Sequence, residues 1–135
     1  MTVILSPDQL VTVLRDTTVA LVRRDGPDLS ARQQAVFLTV YLDEGPHTVR
    51  GLAAALNVSK PAITRALDRL GDLDLARRKT DPADRRSVLV QRTVKGSALL
   101  KELRTTMADA EQAIRTGGVV PGLPANTEAR ARKAV

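Results

Sequence analysis

Cysteine is absent from the 135 residues, which excludes disulfide staples, thiol-based redox sensing and the common cysteine-ligated zinc sites. Histidine occurs once, at His47, so no histidine-based metal cluster can form. A polar residue between two helices is the simpler reading of His47. Tryptophan is also missing, and the aromatic complement is Phe37 and Tyr41 alone. The core must therefore be built from Leu, Val, Ile and Ala, which favours helices packed through aliphatic stripes. RNA recognition is disfavoured, because no platform exists on which bases could stack. No stretch approaches the roughly 18 uninterrupted apolar residues of a membrane span, and the N-terminus lacks a basic-then-apolar signal pattern. A cytoplasmic protein without a membrane partner is expected. No nucleophile–base pair, metal constellation or phosphate loop is legible, so no enzyme, catalytic residue, metal or cofactor is expected.

What the chain does have is length for one domain, 43% apolar residues and a net charge of +6. Excess positive charge points to a polyanionic partner, weakly by itself. Its distribution is more informative. From Lys60 to Lys95 there are ten basic residues (Lys60, Arg65, Arg69, Arg77, Arg78, Lys79, Arg85, Arg86, Arg92, Lys95) against five aspartates. Five of the six excess charges lie in that segment.

Helix signals recur along the chain. Ser6-Pro7-Asp8-Gln9 reads as a capping box with proline in the first turn, followed by Leu10, Val13, Leu14 and Leu21 at helical spacing until Gly26-Pro27. Ser30-Ala31-Arg32-Gln33 repeats the box, and Phe37/Leu38 with Tyr41/Leu42 mark one face of a second helix. A third, short helix runs from a Thr48 cap to Leu56, with Asn57 as a left-handed C-cap. Only Val58 separates it from Ser59, the cap of a fourth helix, and two helices joined this tightly form a helix-turn-helix.

In the fourth helix Ile63, Ala66, Leu67 and Leu70 share one face. Pro61, Arg65, Asp68 and Arg69 lie opposite, with Lys60 and Thr64 on a flank. The outward side offers short polar and basic groups near a helix N-terminus, whose free N–H groups and dipole suit phosphate. Leu75-Ala76-Arg77-Arg78-Lys79, a polar turn at Asp81-Pro82-Ala83-Asp84, and Arg85 to Arg92 then read as a hairpin with a charged tip. A basic hairpin directly after a helix-turn-helix is a wing. Thr93 caps a fifth helix in which Leu99, Leu103, Met107, Ala110 and Ile114 recur every three or four residues. This stripe is longer than a small winged core needs to cover, so it either packs against the first helix within the chain or forms a dimer seam through both terminal helices. The tail past Gly117-Gly118 carries Pro121, Gly122 and Pro124 and ends in a basic cluster.

The run from Asp81 to Gly96 closely resembles the wing of the MarR family of bacterial regulators, and Thr48 to Leu70 resembles that family's helix-turn-helix. The resemblance covers residues 30–115. It implies a mainly α fold with a small β-hairpin, a winged helix-turn-helix with N- and C-terminal dimerisation helices. One domain is expected over residues 1–116, with a DNA-binding core at 30–93, dimerisation helices at 6–25 and 94–116, and a flexible basic tail at 117–135. The implied function is a homodimeric, sequence-specific double-stranded DNA-binding transcriptional repressor of a palindromic operator, released by a small-molecule effector. A winged helix mediating protein contacts or nonspecific nucleic-acid binding is the alternative.

Residue by residue, Ser59, Lys60, Pro61, Ala62, Thr64 and Arg65 match the recognition positions, and Arg69 follows on the same helix. Arg77, Arg78, Asp84, Arg85 and Arg86 belong to the wing, where the resemblance implies that the aspartate orients an arginine. Leu10, Leu14, Leu99, Leu103, Met107 and Ile114 are the dimerisation candidates. The chain departs from the family at three places. Asp74 stands where glycine is usual before the first wing strand. Arg92 replaces the usual leucine before Thr93, and the region after Gly117 is short for a final dimerisation helix.

Overall fold

Five hydroxyl side chains each accept a main-chain N–H three residues further on: Ser6 from Gln9, Ser30 from Gln33, Thr48 from Gly51, Ser59 from Ala62 and Thr93 from Gly96. Each satisfies a donor that a helix N-terminus would otherwise leave unpaired. The helices that follow are α1 (Pro7–Arg23), α2 (Ala31–Leu42), α3 (Val49–Leu56), α4 (Lys60–Asp72) and α5 (Val94–Thr116). Ser6 and Ser30 form the complete capping box, with Gln9 and Gln33 reaching back to the cap N–H. The computed structural model describes residues 4–117. Residues 118–135, most of the expected basic tail, lie outside the described residues.

These residues form two compact units, one spanning Leu29–Glu102 and the other residues 4–28 and 103–117. In the first, α2, α3 and α4 enclose an apolar core with Val36, Phe37, Val40, Leu52, Ile63, Leu67 and Leu70 at its centre. The inward face of α2 is Val36, Phe37, Val40 and Tyr41. Leu42, expected on that face, is 61% exposed, since position 42 lies round the helix from 36 and 40.

Both helices of the helix-turn-helix end in the same way. Asn57 adopts φ 53° and Asp74 φ 56°, and the N–H of the next residue reaches back to the carbonyl five positions earlier: Val58 to Ala53 and Leu75 to Leu70. This is a Schellman closure. The usual glycine is replaced at both positions by Asn or Asp, the L-residues that best tolerate the left-handed region. The turn at Asp74 is therefore built as a glycine would build it.

A three-stranded antiparallel sheet follows, in the order β1-β3-β2, from β1 (His47–Thr48), β2 (Ala76–Thr80) and β3 (Val88–Arg92). The hairpin pairs Ala76 with Arg92, Arg78 with Val90 and Thr80 with Val88. The short β1 strand, paired through His47 and Val90, was not expected from the sequence, because two residues carry no periodicity. The observed fold is five helices with a small sheet, a winged helix-turn-helix.

One polar knot closes the base of this unit. The Tyr41 hydroxyl donates to the Leu75 carbonyl at 2.7 Å and accepts the Thr93 N–H at 2.9 Å, while the Thr93 hydroxyl donates to the Asp74 carbonyl at 2.6 Å. A Cβ added at Gly96 would lie 1.7 Å from the Tyr41 oxygen, so only glycine allows the close approach. Arg92 donates to the Val40 and Asp43 carbonyls at the end of α2, at 2.8 and 3.0 Å, and its guanidinium lies 5.8 Å from the Tyr41 ring centroid. A charge at a position where leucine is usual is thus accommodated as a cap for carbonyls at the C-terminal end of α2.

The second unit has a small interior of Val13, Ala110 and Ala113, with Leu5 and Ile114 packed against it. Its surface keeps large apolar side chains in water: Leu10, Val11, Leu14 and Val22 on α1 and Met107 on α5. No helix among the described residues is long and apolar enough to cross a membrane.

Candidate nucleic-acid interface

Helix α4 separates its two faces cleanly. Ala62, Ile63, Ala66, Leu67 and Leu70 are buried, whereas Ser59, Lys60, Pro61, Arg65 and Asp68 are exposed and Thr64 and Arg69 half-buried. Ala62 was expected among the outward recognition residues and is only 6% exposed. It sits one position before Ile63, on the packed arc, so its side chain faces inward. Proline in the first turn and the Ser59 cap fix where the helix starts, and so place Lys60 and Arg65 within its first two turns. Arg65 folds back along the helix, its Nε donating to the Pro61 carbonyl at 3.4 Å.

The wing divides its basic residues into two sets. Arg77 bonds to Asp74 at 3.3 Å and Arg78 to Asp68 at 2.5 Å. The second contact ties the first wing strand to the exposed side of α4. Arg85 and Arg86, at the tip, are exposed and have no ion-pair partner among the described residues. The sequence implied that Asp84 orients an arginine side chain. In the structure the Asp84 carboxylate accepts the main-chain N–H of Arg86 at 3.1 Å. A carboxylate two residues ahead of an amide is well placed to accept that N–H. Asp81, which the sequence reading left without a role, makes the equivalent contact to the Ala83 N–H at 2.9 Å. The Asx-turn tendency of aspartate beside proline is the signal that could have found it.

Other candidates separate by burial. Leu103, expected at a dimer seam, is 8% exposed within its own chain, so its apolar surface is already covered. Leu99 and Ile114 are half-buried, while Leu10, Leu14 and Met107 remain exposed. His47 serves a local structural purpose, its Nε2 lying 3.0 Å from the Asp43 carbonyl.

Residues 31–88, from the start of α2 to the start of β3, match the sequence model of the MarR family. The fold is that of the MarR family. Solved structures agree along most of the chain. A transcriptional regulator from Thermotoga maritima, Tm0710, superposes with a TM-score of 0.69 at 21% identity, over 94% of this chain and 83% of that one. MepR of S. aureus, solved as a DNA complex, gives 0.63 at 18% identity over 82% and 85%. CouR from Rhodococcus jostii RHA1, solved with p-coumaroyl-CoA bound, gives 0.57 at 25% identity over 90% and 80%. No curated protein matches the chain by sequence. The MarR segment thus contains the helix-turn-helix and most of the wing, so the resemblance first read from residues is confirmed.

Proposed function

We propose that this MarR-type protein is a homodimeric transcriptional repressor, acting in the cytoplasm, that binds a palindromic operator in duplex DNA and is released by a small-molecule effector. The observation that carries the reading is the juxtaposition on one unit of an outward polar and basic α4 face and a wing tip with two exposed arginines that have no ion-pair partner among the described residues. Ser59, Lys60, Pro61, Thr64 and Arg65 enter the major groove, where an α-helix fits and base edges are distinguishable. Arg85 and Arg86 reach the neighbouring minor groove, whose negative potential attracts arginine where it narrows. Arg77 and Arg78, held by Asp74 and Asp68, brace the hairpin and add positive potential. Arg69, farther along α4, approaches the backbone.

Dimerisation is supported by the exposed Leu10, Val11, Leu14 and Val22, which span an arc of roughly 120° on α1. Each is 56–64% exposed, so covering it would contribute about 1–2 kcal/mol, the corresponding share of full burial. The DNA complex of MepR and the acyl-CoA complex of CouR support the DNA partner and an effector in proteins of this fold. Titration of the chain onto duplex DNA at increasing salt tests the reading. A dimer making about 6–10 phosphate contacts loses roughly 10³–10⁵ in affinity between 50 and 200 mM salt. Salt-insensitive or undetectable binding would overturn it in favour of a protein-contact module.

A further inference from the structure

The wing loop, residues 81–87 between β2 and β3, carries two aspartates in the part of the molecule that would lie closest to DNA. On charge alone both are unfavourable there, since a carboxylate repels phosphate. Their contacts give them another purpose. The Asp81 carboxylate accepts the Ala83 N–H at 2.9 Å, and the Asp84 carboxylate accepts the Arg86 N–H at 3.1 Å. Between these two Asx turns, the Asp81 N–H donates to the Ser87 carbonyl and the Ser87 N–H to the Asp84 carbonyl, each at 2.9 Å. Four bonds thus fold a loop in which residues 82–86 are all exposed and no core packing can impose a shape.

We propose that Asp81 and Asp84 are positioning residues of the wing, which act on the main chain to hold the tip in the shape that projects Arg85 and Arg86. This rests on the DNA-binding reading above. Without the turns the loop would order only on binding, at an entropic cost of about 1–2 kcal/mol for each residue fixed. Pro82 adds to the same end by presetting the backbone inside the first turn. The role belongs to the carboxylate oxygen as an acceptor. An asparagine amide oxygen supplies the same acceptor without the charge.

Four variants of the full chain separate shape from charge: Asp81→Asn, Asp81→Ala, Asp84→Asn and Asp84→Ala. At each position asparagine and alanine remove the same negative charge, and only alanine removes the acceptor. Each variant is titrated onto a duplex with A·T-rich flanks recovered from a random library by the wild-type chain. Amide hydrogen exchange at Ala83 and Arg86 is followed in parallel without DNA. The asparagine variants should bind as tightly as wild type or a few-fold tighter, with both amides protected. The alanine variants should bind about five- to tenfold more weakly, with protection lost at the matching amide. Equal binding by the asparagine and alanine variants would overturn the proposal, whether or not the amides differ. A wild-type chain that recovers no duplex overturns the DNA-binding reading and this proposal together, which distinguishes the two failures.

Discussion

Tyr41 ties distant parts of the first unit together through its hydroxyl. Its hydroxyl is buried, donates to one carbonyl and accepts one N–H, and these partners lie 34 and 52 residues away in sequence. Tyr41→Phe leaves a buried donor and a buried acceptor without partners. It should destabilise the chain by about 1–3 kcal/mol, read from the denaturant midpoint at unchanged slope. Gly96→Ala, which drives a methyl into the same oxygen, should cost at least as much. Asp74 offers the opposite sign. At φ 56° a glycine relieves backbone strain, so Asp74→Gly should hold or raise stability by up to about 1 kcal/mol, while Asp74→Val should lower it by about 1–2 kcal/mol. Equal effects of the two substitutions would show that the ion pair with Arg77, and not the backbone, governs this position.

At the scale of elements, α4 and the wing divide recognition between them. Under the proposed function Arg65 is the side chain in the first two turns of α4 best suited to a bidentate contact with guanine. Arg65→Ala should relax preference at one base pair in each half-site by about 1–3 kcal/mol, measured by competition among single-base variants of the operator. A uniform loss on every sequence would reassign Arg65 to phosphate. The helix-turn-helix was legible before the structure because its signals are local: Ser59 as a cap, Asn57 as a left-handed stop, and apolar residues at 63, 66, 67 and 70 that all proved buried. Ala62 was misplaced because an alanine near a helix N-terminus reads equally well inward or outward. The two Asx turns were missed because the hairpin was read by strand alternation, which is silent about how its loop closes.

For the whole molecule, the decisive question is which apolar surface a second copy would cover. Leu103 cannot answer it, since it is buried in its own chain and an aspartate there would disturb that interior. Leu14 is 60% exposed, so Leu14→Asp should leave helix content and the unfolding transition nearly unchanged. In sedimentation it should shift the chain to monomers, with weakened operator binding. A persistent dimer with full affinity would place the interface elsewhere.

The sequence alone determined the five helix starts, the stop at Asn57, the inward face of α4 apart from Ala62, the basic hairpin and the family resemblance. Each depends on residues within a few positions of one another, where capping geometry and helical or strand periodicity operate. The tertiary structure decided the third strand, the knot around Tyr41 and Thr93, the bracing of Arg78 by Asp68, and the conversion of Arg92 from an apparent misfit into a cap for α2. Arg92 reaches a carbonyl 52 residues away. Pairings at that range depend on which elements come to lie side by side, and no local pattern encodes it.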